Sequence, residues 1–203
     1  MHPNRAFRTE TLSRNLEFVR RRVFGTLAMN GEGGPIVAHV PVLLSDDGRT
    51  VEAHLVRSNP IVRALDRPHR AVIAMTGPDG YISPDWYESE DQVPTWNYVA
   101  VHIRGMLERL PDGAMRGLLD RQSAAYEARL LPKPPWLVDK VDETALARLL
   151  RAIVPVRMTV QDVDGTWKLS QNKAEADRLG ARDHVTMGLG SELFELQRLM
   201  GDP

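Results

Sequence analysis

The chain has 203 residues, enough for one generous domain or two small ones and for a sizeable core. Hydrophobic residues make up 42% and charged ones 26%, an ordinary globular profile that excludes a disordered or fibrous class, and no apolar run reaches the roughly 18 residues of a membrane span. A formal net charge of −1 gives no bulk electrostatic pull toward nucleic acid, and the absence of cysteine excludes disulfides, thiol chemistry and cysteine-held metals.

The opening segment, MHPNRAFRTE, lacks the apolar core of a signal peptide, which places the protein in the cytoplasm. Leu12, Leu16 and Val19 follow helical spacing, and Val23 passes into the first strand. Asn30-Gly31 and Asp47-Gly48 then separate segments rich in Val, Ile, Leu and Thr, the strongest short-range hairpin signal. They chain three strands, at roughly 23 to 29, 35 to 44 and 50 to 56, into a meander. Further strands are expected at roughly 71 to 76, 97 to 108 and 154 to 162, with Asp79-Gly80 and Asp164-Gly165 as additional turns. Helices are expected at about 113 to 130, from Asp142 through Leu146, Leu149, Leu150 and Ile153, and at about 191 to 200. Asn172 with Glu175 has capping-box-like spacing, and Gly180 closes the short helix that follows. The LPKPPW run, Leu131 to Trp136, is the best linker. With neither a repeat nor a second independent core, the chain reads as a single domain. Many strands at short spacing with few crossover helices argue for a mainly β barrel with peripheral helices.

Chemistry concentrates in a few places. Five of the eight Trp and Tyr residues fall between Tyr81 and Tyr98, interleaved with Ser83, Thr95 and Asn97, a pattern suited to gripping a planar ligand or packing a local core. Along NYVAVHI, alternation puts Asn97, Val99 and Val101 on one face and Tyr98, Ala100 and His102 on the other, so only one set lines a pocket easily. The segment His54-Leu-Val-Arg57-Ser58-Asn59-Pro60 ends a strand with a cation, a hydroxyl and an amide. Those groups suit either a phosphate or an ordinary ion pair and turn. Trp167-Lys168-Leu169-Ser170-Gln171-Asn172-Lys173 joins a strand to a helix start, which welcomes an anion or is simply a solvated cap. None of the six histidines has metal-ligand spacing, and no nucleophile elbow, P-loop or dinucleotide fingerprint is present.

In order, FGTL at 24 to 27, His39 with Pro41, HLVRSNP, GPDGYISPDWY, VPTWNYVAVHI and WKLSQNK resemble the PaiB family, described as FMN-binding negative transcriptional regulators. The resemblance runs from Phe7 to Lys173. It implies a split β-barrel of the FMN-binding, pyridoxamine-oxidase-like type, usually a homodimer with FMN at the subunit interface. It further implies that His54, Arg57, Ser58 and Asn59 take the FMN phosphate. Tyr81, Ser83, Trp86, Thr95, Trp96, Asn97, Tyr98 and His102, with Lys168, Ser170, Gln171 and Asn172, would border the isoalloxazine, from either subunit. The chain departs from the family in opening Met1-His2-Pro3 where Met-Tyr is usual, in following Pro60 with Ile61-Val62-Arg63, and in a short insertion before the last helix. Within the same barrel a flavin-dependent oxidoreductase or a haem-handling protein is the alternative, with Tyr98 and His102 as acid-base candidates. Without a helix-turn-helix signature or a basic recognition helix, DNA is the weaker partner expectation.

Overall fold

A computed structural model describes residues 1–203. The helices are α1 (Leu12–Arg22), α2 (Pro60–Ala64), α3 (Met115–Glu127), α4 (Glu143–Arg151), α5 (Glu175–Val185) and α6 (Leu193–Gly201). The strands are β1 (Phe24–Gly31), β2 (Gly34–Leu44), β3 (Thr50–Val56), β4 (His69–Ile82), β5 (Thr95–Arg109), β6 (Ile153–Lys168) and β7 (Gly190–Ser191). They are hydrogen-bonded in the order β1-β2-β3-β6-β5-β4-β7. An extra pairing of β1 with β4 closes the ring, so the fold is the expected barrel with helices around it. No helix is long and apolar enough to cross a membrane.

The chain forms two compact units. One comprises Val23–Ile73 and Ile103–Asp162, the other Met1–Arg22, Ala74–His102 and Val163–Pro203. In the first, period-two patterning decides what is buried: Val40 and Val42 on β2, Val51 and Leu55 on β3, Val154, Val156 and Met158 on β6 all point inward. Register is explicit, with β1 meeting β2 from Phe24 opposite Pro41 to Gly31 opposite Gly34, and β3 meeting β6 from Thr50 opposite Thr159 to Val56 opposite Ile153. Across the β3–β6 pair, Glu52 lies largely buried between Arg121 (2.5 Å) and Arg157 (2.7 Å). In the second unit, Phe18, Val19, Met75, Ile82, Val99, Trp167, Leu169, Leu196 and Met200 form the core.

Several turn and cap expectations are corrected. The first hairpin turns at residues 32 and 33, because Asn30 and Gly31 remain paired with Pro35 and Gly34. Asp47-Gly48 is the turn expected, with Gly48 at φ 71° and its N–H donating to Ser45 O at 3.0 Å. Asp79-Gly80 and Asp164-Gly165 lie inside β4 and β6 instead. Both glycines make room for a helix: a Cβ on Gly80 would come within 2.7 Å of Leu196, and one on Gly165 within 2.1 Å of Asn15 Oδ1. Asp142 caps α4 through Ala145 N at 3.0 Å, yet the helix ends at Arg151, and Ile153 opens β6. Asn172 does not cap α5, whose N-cap is Ala174 without a side-chain bond, and Gly180 sits mid-helix.

Candidate functional site

In the unit carrying the N-terminus, the aromatic stretch and the WKLSQNK segment are built together. The Lys168 ammonium donates to Thr95 Oγ1, which ties the end of β6 to the start of β5. Burial, then the neighbouring Lys173, holds the Lys168 pKa below the usual lysine range. Tyr81 and Trp96 meet edge to face, with centroids 6.3 Å apart, and Trp96 remains 43% exposed. Tyr98 and His102 share the half-buried face of β5. That outward row is the accessible one.

The opposite face of β5 is closed. Asn97 is fully buried, and its Nδ2 donates to Ser170 Oγ at 2.9 Å and to the Met200 sulfur at 3.5 Å. Ser170 is itself buried and sits at φ 64°, a left-handed backbone that a serine adopts only where its surroundings impose it. Beside this cluster the Tyr87 phenol is buried, and its pKa is raised by desolvation. Asn97 Oδ1 has no hydrogen-bond partner, and the Tyr87 phenol lies beside Ser170.

Other members of the motif are occupied structurally. Trp86 stacks on His184 at 6.0 Å and 15°, and its carbonyl lies where a Cβ on Gly180 would come within 2.5 Å. Ser83 accepts from Asp85 N and caps a short 3-10 turn. Gln171 is held at both ends by backbone, accepting from Leu169 N (2.8 Å) and donating to Ala6 O (3.2 Å) and Trp167 O (2.5 Å). Asn172 is exposed. Where the family's opening tyrosine is missing, His2 takes a place of its own: its N–H donates to Thr166 Oγ1 at 3.2 Å and its ring packs edge-on against Phe7 at 4.8 Å.

The His54 to Asn59 segment belongs to the other unit. Arg57 Nε donates to Arg151 O at 2.7 Å, and its Nη2 to Ile153 O and to Asp112 Oδ2, both at 3.1 Å. Arg109, which sequence reasoning missed, reaches the same Asp112 at 2.8 Å. Its pairing with Asp112 is local, three residues apart, but nothing in the local sequence shows that Arg57, from the end of β3, reaches the same carboxylate across β6. Asn59 Oδ1 caps α2 through Ile61 N at 2.9 Å, and Ile61 and Val62 are buried, so the departure after Pro60 serves the core. Ser58 is exposed. His54 Nδ1 pairs with Gln122 Oε1 at 3.1 Å, and burial lowers its pKa against the opposing pull of that bond. A neutral ring donating from Nδ1 leaves Nε2 as an acceptor, the wrong polarity for a phosphate oxygen.

Comparison with known proteins decides the family. Residues 1–162 match the model described as "Putative FMN-binding domain". A curated relative, protease synthase and sporulation protein PAI 2 of Bacillus subtilis strain 168, is 31% identical over 187 residues, covering 91% of this chain and 89% of that protein. The chain belongs to the PaiB family of FMN-binding domains. Its fold is also that of the FAD and heme binding protein of Mycobacterium smegmatis (TM-score 0.57, 16% identity, covering 80% of this chain and 73% of that one). The flavocytochrome Anf3 of Azotobacter vinelandii is similar as well (TM-score 0.58, 10% identity, 82% and 72%). For a PaiB-family chain, FMN is the cofactor against which the residues above are weighed. They fit it in kind: paired guanidinium groups suit a phosphate, and an exposed Tyr81–Trp96 pair suits a flat ring.

Proposed function

We propose that this protein is a homodimeric FMN-binding regulator of the PaiB type, with FMN held at the subunit interface. The observation that carries the reading is the pair Arg57 and Arg109 converging on a single carboxylate, a donor set matched to a phosphate. Arg57, Ser58 and Asn59 would hold the phosphate, while His54 orients α3 through Gln122. Tyr81, Trp96, Tyr98 and His102 would border the ring, and Lys168 would place a positive charge beside it. The ring set and the phosphate set can come from different copies of a homodimer. Asn97, Ser170, Gln171, Ser83 and Trp86 would act behind that surface by fixing the strand and helix that present it. Bound FMN supplies one- and two-electron redox chemistry, and the chain supplies binding, orientation and electrostatics.

For the regulatory role, the name of the B. subtilis relative points to control of protease synthesis and sporulation, and an analogous control function is proposed here. The basic run at the end of α1 does not favour DNA phosphates as its target, since Arg21 and Arg22 already pair with Glu195 and Glu192. Regulation would then act through a partner or through a surface built by the dimer. A second reading, a flavin-dependent oxidoreductase, is favoured by Lys168, a half-buried cation with a lowered pKa next to the aromatic face.

An absorption spectrum of the aerobically purified protein tests the cofactor, with the released chromophore identified by mass. Flavin bands with about one FMN per chain are expected. A colourless protein that also refuses added FMN would overturn the assignment. Protein-accelerated NAD(P)H consumption would move the oxidoreductase reading to the front.

A further inference from the structure

Arg57 and Arg109 share one anion, and the two sides of that contact are built differently. Arg57 is fixed: two backbone carbonyls, Arg151 O at the end of α4 and Ile153 O at the start of β6, hold its guanidinium in place at 2.7 and 3.1 Å. Its side chain and that of Arg109 are nevertheless 40% and 41% exposed, so an incoming ligand can reach both. Asp112 is held far more lightly. It opens a single 3-10 turn, Asp112–Ala114, that has no side-chain cap, its side chain is 57% exposed, and its two oxygens go to the two arginines. The nearby acid Asp66 is engaged elsewhere, with His69 at 3.0 Å. A hollow of about 440 Å³ lies beside Arg109 and Asp112, with Asp66, Arg67 and Glu108 also in its lining, and has room for a phosphate group.

We infer that Asp112 is a built-in competitor for phosphate: it occupies the Arg57–Arg109 pair in the ligand-free chain and is displaced when a phosphate monoester dianion binds there. The inference rests on the proposed role of Arg57 toward FMN. A phosphate carries about −1.5 to −2 with three strong acceptor oxygens, so it outbids a carboxylate of charge −1 for two guanidinium forks. Two anions on the same pair of arginines repel each other, and the weakly anchored one leaves. The arginines are thus kept paired and oriented, and flavins lacking the phosphate have no means of displacing Asp112.

The test is a fluorescence titration of apoprotein with FMN and with riboflavin, comparing wild type, Asp112→Asn and Arg57→Ala, with Asp112→Ser as a second removal of the charge. Thermal melts establish that each variant is folded. Asp112→Asn and Asp112→Ser are expected to tighten FMN on the order of tenfold, the scale of one partly exposed charge pair, and to leave riboflavin unchanged. Inorganic phosphate should compete with FMN at lower concentration in both variants. Unchanged or weaker FMN binding in both would overturn the competitor role and make Asp112 a support for the arginines. If Arg57→Ala lowers the preference for FMN over riboflavin while the Asp112 variants do not raise it, the competitor falls and the phosphate site stands. If Arg57→Ala leaves that preference unchanged, the phosphate site falls and the competitor with it.

Discussion

Glu195 shows how far single charges are constrained in this chain. It accepts from Arg198 at 2.7 and 2.8 Å and lies 3.0 Å from Arg21. The Arg198 hydrogen bonds, opposed by burial and reinforced by Arg21, hold its carboxyl at about 2. A carboxylate with a depressed folded pKa stabilises the fold above its unfolded value near 4.5, and that contribution is lost as pH falls from about 4.5 toward 2. Glu195→Gln should therefore cost about 1 kcal/mol at pH 7, a figure discounted because both guanidinium groups are well exposed, and nothing near pH 2. Thermal unfolding of both proteins across pH 2 to 7 reads this out, and a pH-independent difference would refute it. At this scale the sequence discloses kinds of residue and withholds partners. Arg57 and Asn59 stand out by type in HLVRSNP, but that Arg57 is fixed by the carbonyls of Arg151 and Ile153 follows from a register some hundred residues away. Likewise Gln171 reads as a polar site residue until its three backbone contacts are seen.

Elements were more legible than their ends. Alternation along NYVAVHI correctly separates two faces, and burial decides which one stays accessible: Asn97, Val99 and Val101 go inside, Tyr98 and His102 stay outside. The Asp-Gly dipeptides mislead in two of three cases, because the residue type that permits a tight turn also permits close packing, and local sequence does not distinguish them. Gly180 is the sharpest instance. Helix propensity alone says Gly180→Ala should stabilise α5 by about 1 kcal/mol. The new methyl would sit 2.5 Å from the Trp86 carbonyl, a backbone atom that cannot rotate away, and such overpacking costs about 1–3 kcal/mol. The expected net effect is a loss of stability of up to about 2 kcal/mol, measured by urea denaturation. A stabilised variant would show that the 3-10 turn bearing Trp86 yields.

At the scale of the whole molecule, Phe24, Val37, Val56 and Trp96 are large apolar residues left exposed on strands. Scattered singly they would need no explanation, and they are the strand residues that the proposed association of two copies would cover. Sedimentation at micromolar concentration is expected to give twice the 22.8 kDa chain mass, and a monomer retaining FMN would remove the interface placement while leaving the cofactor.

One pairing also has a history in time. Strand β3 lies between β2 and β6, and His54 meets Pro155 only after the chain has grown by about a hundred more residues, some 5 to 20 seconds at ribosomal speeds of ~5–20 residues per second. Throughout that interval the meander of β1, β2 and β3 waits on the ribosome with an open edge, the kind of template on which nascent chains stick to one another. Glu52 stands in the middle of that edge, and until first Arg121 and then Arg157 are made it is an uncompensated charge where a foreign strand would try to add. The residue that ties the finished barrel together is thus also its guard during birth.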